Sequence, residues 1–100
     1  MTTQRKIPAT PPGDILRIEF LEPLGMSQSE LARQLKVDKR RVNDVVKGRR
    51  AVTASTAVRL AAFFGTTAGF WMNMQKRYEL DMAREEQEEA QREIQPFEMA

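Results

Sequence analysis

Residues 27–50 read SQSELARQLKVDKRRVNDVVKGRR and contain the start and stop signals of two short helices. Ser27 and Glu30 form an S-x-x-E capping box, in which the serine hydroxyl accepts a hydrogen bond from a backbone N–H in the first turn of a helix. Asp38 is a favourable N-cap for a further helix, and Gly48 is the residue type that commonly follows a helix end. Two short helices joined by a turn of about three or four residues form a helix-turn-helix, which we therefore predict here.

The second of these helices has an apolar side and a charged side. On a helical wheel of about 100° per residue, Val42, Val45 and Val46 cluster on one side and should face a core. The residues that point away from the valines or flank them are polar or charged: Lys39, Arg40, Arg41, Asn43, Asp44 and Lys47. Such a helix could simply be solvated, but the order of cap, turn, glycine and arginine pair favours a helix that binds DNA.

In a helix-turn-helix the second helix enters the major groove, where its N-terminal residues meet base edges. Arginine and lysine donate to guanine, asparagine bonds adenine, and aspartate accepts from cytosine. We predict that the base-reading residues are Lys39, Arg40, Asn43 and Asp44. Asp44 is the most informative of them, because a carboxylate repels phosphates and adds nothing to a helix that only attracts charge.

The net charge of +2 conceals two oppositely charged segments. Residues 33–50 hold eight basic and two acidic residues, a net charge of +6, whereas residues 79–100 hold two basic and eight acidic residues, a net charge of −6. A dense basic segment attracts phosphates, and an acidic one repels them. We predict that the phosphate contacts are made by Ser27, Gln28, Arg41, Lys47, Arg49 and Arg50.

The rest of the chain predicts further helices and no strand. Residues 1–11 contain little apolar sequence and are expected to form a flexible N-terminal arm. A first helix should begin at Pro12 and end near Pro23 and Gly25, with an apolar stripe of Leu16, Phe20 and Leu24, beside which lie Ile15 and Leu21.

Two more helices complete the predicted domain over residues 12–83. Thr53 can cap a fourth helix that Gly65 ends, and Thr66 or Thr67 can cap a fifth. The fifth helix carries Trp71, Met74 and Tyr78 on one side, which we assign to the core rather than to a dimer interface because so short a chain needs its aromatics inside. We expect an all-α, five-helix domain with a longer C-terminal helix, followed by an acidic extension, residues 84–100, that is partly helical or disordered.

Composition excludes most enzyme classes. The chain has no Cys and no His, which removes thiolate nucleophiles, imidazole bases and the usual zinc ligands. No catalytic or phosphate-cradling motif is present, so we predict no enzyme activity, no cofactor and no metal. No apolar run is long enough for a membrane span or a signal peptide, so we expect a cytoplasmic protein without a membrane partner.

Three stretches resemble the HigA-type antitoxins of bacterial HigB-HigA toxin-antitoxin modules, a family with an Xre/Cro repressor-like helix-turn-helix domain. They are PPGDILRIEFLEPLGMSQSELARQL at residues 11–35, GRRAVTASTAVRLAAFFGT at residues 48–66 and FWMNMQKRYEL at residues 70–80. The resemblance implies a homodimer that binds palindromic double-stranded operator DNA, represses its own operon and neutralises a cognate HigB-type toxin that cleaves mRNA. It places Gln28 and the helix that begins with Lys39, Arg40 and Arg41 at the operator.

Two other functions are compatible with the same residues. A stand-alone Xre-type transcriptional regulator without a toxin partner would have the same helix-turn-helix. A protein-interaction module would use the acidic tail to bind a basic partner.

Overall fold

The computed structural model describes residues 9–98, and every regular element in that range is a helix. Six helices follow one another: α1 over residues 12–24, α2 over Gln28–Leu35, α3 over Lys39–Val46, α4 over Ala54–Phe64, α5 over Ala68–Met82 and α6 over Arg84–Glu93. The predicted all-α class is confirmed, with a sixth helix because Ala83 (φ −93°, ψ 13°) interrupts the regular geometry between α5 and α6. The predicted N-terminal arm falls mostly on residues 1–8, which lie outside the described residues.

Side-chain caps start four of the helices at the predicted residues. The acceptors are Ser27 for the N–H of Glu30 (3.0 Å), Asp38 for that of Arg40 (3.0 Å), Thr53 for that of Thr56 (3.5 Å) and Thr67 for that of Phe70 (3.0 Å). Past the ends of α3 and α4, Gly48 and Gly65 both have φ of +76°, a conformation that glycine adopts without strain. Side-chain caps therefore mark where α2 to α5 begin, and glycines in the left-handed conformation follow the ends of α3 and α4.

Helix α1 differs from the predicted regular helix in its middle. Its residues Leu16–Leu21 form wider π turns between two short α-helical segments. In π geometry the backbone hydrogen bonds span five residues and each turn is wider than in an α-helix, and Leu16 and Leu21, five residues apart, are both buried. Leu24, predicted to lie on the buried stripe from a four-residue repeat, is 60% exposed, and that assignment was wrong.

The core lies where α1 to α5 meet and contains residues from each of them. Its buried apolar members are Leu16, Leu21, Leu31, Ala32, Leu35, Val42, Val45, Val46, Val52, Ala57, Leu60 and Trp71. Trp71 is fully buried, and its indole Nε1 donates a 2.8 Å hydrogen bond to Thr66, which satisfies the polar atom of the ring. The core assignment of Trp71 is confirmed, and Met74 packs half-buried against the same cluster.

Helix α6 lies outside this core, since it buries no residue. Among residues 9–98, no helix combines the length and apolarity that crossing a bilayer requires.

Candidate nucleic-acid interface

The candidate interface consists of α2, α3 and the loop that follows α3. Helix α3 packs with Val42, Val45 and Val46 in the core, so the valine side of the wheel is confirmed as the buried side. Its first two residues, Lys39 and Arg40, are exposed. Helix α3 therefore presents cationic side chains at its N-terminal end while its opposite side holds it rigidly in the domain.

The turn between α2 and α3 is compact and tied by backbone hydrogen bonds. Lys36 has a left-handed conformation (φ +61°), and the N–H of Val37 donates to the carbonyl of Ala32 at 3.0 Å. The guanidinium of Arg59, on α4, donates to the carbonyl of Leu35 at 2.9 Å and so satisfies an acceptor at the end of α2. These contacts fix the angle between the two helices of the motif.

Arg41, predicted to contact phosphate, makes two hydrogen bonds within the protein. Its Nε donates to Thr56 Oγ1 at 3.1 Å and its Nη2 donates to Ser55 Oγ at 2.8 Å. Thr56 is buried, so the guanidinium stem runs along the protein and joins α3 to the first turn of α4. Arg41 thus has a structural role, whatever it contributes to a phosphate contact.

The other predicted phosphate contacts lie at two places. Ser27, which caps α2, is exposed, and Gln28 is half-buried in the first turn of that helix. The remaining three, Lys47, Arg49 and Arg50, are exposed in the loop after α3. A helix N-terminus and a cationic loop both have the chemistry to bind phosphate groups.

The loop after α3 turns back over the helix that precedes it. Gly48 reverses the chain, and the N–H groups of Arg49 and Arg50 donate to the carbonyl of Asp44 at 2.8 and 3.2 Å. The Asp44 carboxylate lies 3.5 Å from the Arg50 guanidinium, and the Asp44 side chain is 22% exposed. Asn43 is also half-buried, so the predicted base-reading set divides into two exposed cations and two partly covered residues.

Sequence reasoning missed Gln75, which fixes the far end of this loop. Val52 is buried, and its N–H donates to Gln75 Oε1 at 2.8 Å, while Gln75 Nε2 donates to Glu79 at 2.8 Å. The available signal was a polar residue placed one turn after Trp71, on the side of α5 that faces the core. A glutamine in that position has to satisfy both ends of its amide.

Gly13 was the second residue missed. A Cβ built at Gly13 would overlap the carbonyl oxygen of Val45 and come within 2.8 Å of that of Val46. Only glycine therefore lets the first turn of α1 pack against the C-terminal turn of α3. Beside this contact lies a cleft of about 240 Å³, bordered among others by Pro11, Arg50 and Tyr78.

Known proteins with similar sequences are named as virulence-associated proteins, HTH-type transcriptional regulators and antitoxins. The Helix-turn-helix family model matches residues 18–71. Virulence-associated protein I of Dichelobacter nodosus is 44% identical over 85% of this chain and 79% of its own length, and Antitoxin HigA-1 of Vibrio cholerae is 39% identical over 78% of this chain and 74% of its own length.

A solved structure extends the likeness to three dimensions. The Pseudomonas aeruginosa antitoxin HigA, solved with the higBA promoter, superposes with a TM-score of 0.84 at 41% identity, over 90% of this chain and 99% of that one. The residues matched by the family model include α2, α3 and the loop after α3. The chain belongs to the Xre-type helix-turn-helix family and, within it, to the HigA antitoxins.

Proposed function

We propose that this protein is a sequence-specific DNA-binding antitoxin that represses its own toxin-antitoxin operon and neutralises a cognate mRNA-cleaving toxin. The observation that carries the proposal is the exposed N-terminal end of α3, with Lys39 and Arg40, on a helix whose valine side is locked in the core. Side chains that emerge from a rigid helix can discriminate bases, because their positions do not adjust to every sequence.

In the proposed complex α3 lies in the major groove of double-stranded operator DNA. Lys39, Arg40 and Asn43 have the donor chemistry to read guanine and adenine, and Asp44 was predicted as the fourth base-reading residue. The proposed phosphate contacts come from Ser27 and Gln28 at the start of α2, from Lys47, Arg49 and Arg50 after α3, and from Arg41. Phosphate contacts set affinity and position, and base contacts set sequence preference.

We further propose that the protein acts as a homodimer on a palindromic operator. One short recognition helix buries a limited area, and two copies related by twofold symmetry read half-sites about 34 Å apart. The partner in the antitoxin role is a HigB-type toxin, and the complex forms in the cytoplasm, where operator DNA and mRNA are both present. The proposed activity is binding, without catalysis.

Binding to the duplex upstream of the protein's own reading frame tests the repressor role. We expect fluorescence anisotropy to show tighter binding to this duplex than to a random duplex of equal length, with a stoichiometry of two protein chains per palindrome. Equal binding to both duplexes would contradict sequence-specific repression.

Co-expression with the product of the adjacent reading frame tests the antitoxin role. We expect the two proteins to co-purify and the antitoxin to abolish mRNA cleavage by its partner in a translation extract. Operator binding without such a partner would instead identify a stand-alone regulator.

A further inference from the structure

Asp44 is held by the loop that follows α3. Its carboxylate Oδ2 lies 3.5 Å from Nη2 of Arg50, and the two side chains are 22% and 47% exposed. Its backbone carbonyl accepts from the N–H groups of both Arg49 and Arg50, at 2.8 and 3.2 Å. Asp44 therefore contacts the loop through both its backbone carbonyl and its carboxylate.

This environment differs from that of a side chain free to reach a base. A carboxylate that accepts from cytosine has to extend from the helix into the groove, and Lys39 and Arg40 are exposed enough to do so. The Asp44 side chain is more than three-quarters covered, and its carboxylate already has a cationic partner. To bond a base, the Asp44 carboxylate would have to break its ion pair with Arg50 while lying close to the DNA phosphates.

We propose that Asp44 is a positioning residue that acts on DNA through Arg50 and does not read a base. Its carboxylate holds the guanidinium at the C-terminal end of α3, where the loop meets the phosphate backbone. This inference rests on the proposed DNA-binding function and replaces the base-reading role that the sequence predicted for Asp44.

The proposal predicts whether removing the Asp44 carboxylate strengthens or weakens DNA binding when Arg50 is also replaced. In the intact pair the negative charge of Asp44 is compensated by Arg50. If Arg50 is replaced by a neutral residue, Asp44 becomes an uncompensated charge that repels the phosphates. Removing the carboxylate from that variant must then strengthen DNA binding, whereas removing a base-reading carboxylate must weaken it.

A double-mutant cycle with Asp44→Asn, Arg50→Met and the double variant measures this change in DNA affinity. Dissociation constants are determined on the promoter duplex, on a random duplex and on promoter duplexes in which each base pair is changed in turn. We expect Arg50→Met to weaken binding and the double variant to bind about two- to fivefold more tightly than Arg50→Met, the size expected of a partly exposed ion pair. Because the effect is electrostatic, this rescue should shrink as the salt concentration rises.

The base-preference profile separates the positioning role from base reading, and the salt-dependent rescue is the readout that a purely structural role would not produce. We expect Asp44→Asn to change binding to every duplex by the same factor and to leave the preferred base at each position unchanged. Relaxed preference at one base pair in Asp44→Asn, or weaker binding of the double variant than of Arg50→Met, would overturn the proposal.

Arg49 supplies the matched control. It is the neighbouring exposed cation of the same loop, and no ion pair joins it to an acidic residue within residues 9–98. We expect the effects of Asp44→Asn and Arg49→Met to add without rescue. Rescue of equal size in both cycles would mean that Asp44 acts only as a diffuse negative charge, which also contradicts a specific pair.

Two measurements separate this inference from the proposed function itself. If the wild-type protein does not prefer the promoter duplex, the proposed function fails and the inference fails with it. If the wild type prefers it and Arg40→Ala relaxes that preference, the function stands and the cycle alone decides the role of Asp44. Circular dichroism verifies the helix content of each variant. If Asp44→Asn has less helix than the wild type, Asp44→Ser is used in its place.

Discussion

The backbone N–H of Val52 donates a 2.8 Å hydrogen bond to the side chain of Gln75, which lies 23 residues later in the chain. The bond is buried and joins the loop that carries Arg49 and Arg50 to helix α5, outside the helix-turn-helix. It gives the loop a fixed end at Val52, just as the carbonyl of Asp44 gives it a fixed beginning. The cationic loop is therefore held at both ends.

Replacing Gln75 by methionine should destabilise the protein. The substitution keeps the length of the side chain but leaves the Val52 N–H buried without an acceptor, which costs about 1–3 kcal/mol of unfolding free energy. Urea denaturation measures the loss, and Gln34→Met, the same change at an exposed position of α2, should stay within about 0.5 kcal/mol of the wild type. Equal effects of the two substitutions would show that the bond contributes nothing specific.

Two glycine-to-alanine changes should have opposite signs. Gly13→Ala forces a methyl group into the carbonyl groups of Val45 and Val46 and should cost about 1–3 kcal/mol, as overpacking does. Gly69→Ala, in the first turns of α5, meets no atom closer than 3.8 Å. It should stabilise the protein by about 0.5–1 kcal/mol, because alanine loses less backbone entropy in a helix. Thermal denaturation of both variants checks the pair, and a gain in stability from Gly13→Ala would refute the close approach of α1 to α3.

The exposed cations should separate into base-reading and phosphate-binding classes. Arg40→Ala is expected to weaken operator binding by about 1–3 kcal/mol and to relax the preference at one base pair. Arg49→Ala should weaken binding to all duplexes by a similar factor and reduce the salt dependence by about one phosphate contact. Titrations on operator and random DNA at several salt concentrations test both, and an equal loss on both duplexes for Arg40→Ala would contradict its assignment.

Arg41 should matter for stability as well as for DNA binding. Arg41→Ala removes two hydrogen bonds to the start of α4 and is expected to lower the unfolding free energy by about 1–2 kcal/mol. Lysine should restore little of this loss, since an ammonium cannot present the fork that reaches Ser55 and Thr56 together. Lys47→Ala, in the exposed loop, serves as the control for the loss of one positive charge. An unchanged unfolding free energy in Arg41→Ala would mean that the two hydroxyl contacts do not stabilise the fold.

Removing residues 84–100 should leave the fold intact. Helix α6 buries no residue, so the deletion is expected to change the unfolding free energy by less than about 0.5 kcal/mol. The deleted segment carries six acidic and two basic residues, and its loss should tighten binding to random DNA at low salt and have little effect at high salt. Unchanged low-salt affinity would show that the tail lies too far from the bound duplex to repel it.

Much of the fold could be predicted because its signals are local. Ser27, Asp38, Thr53 and Thr67 each satisfy a backbone N–H within the next three residues, and such a contact can be recognised without knowing the rest of the chain. The valine side of α3 was predictable for a similar reason, since helical periodicity alone brings those residues together. The predicted DNA-contacting roles remain predictions until binding is measured.

The sites that could not be predicted involve contacts across elements. Leu24 was assigned to the buried stripe because a regular helix was assumed. Helix α1 instead contains π turns over Leu16–Leu21, and Leu21 is buried whereas Leu24 is exposed. Gln75 looks like any polar residue of a helix until Val52 is placed beside it. The wheel placed Asp44 on the outward side of α3, and it could not show that the loop after Gly48 returns to cover it.

The sequence by itself determined where helices α2 to α5 begin, which side of α3 is apolar and which residues carry the positive charge, because capping, periodicity and charge act within a few residues. Only the tertiary structure decided which of those charges are free and which are held. Arg41 is tied to α4 and Arg50 to Asp44, and both attachments depend on where the chain returns in space. Within residues 9–98, Lys39 and Arg40 are exposed at the N-terminal end of α3.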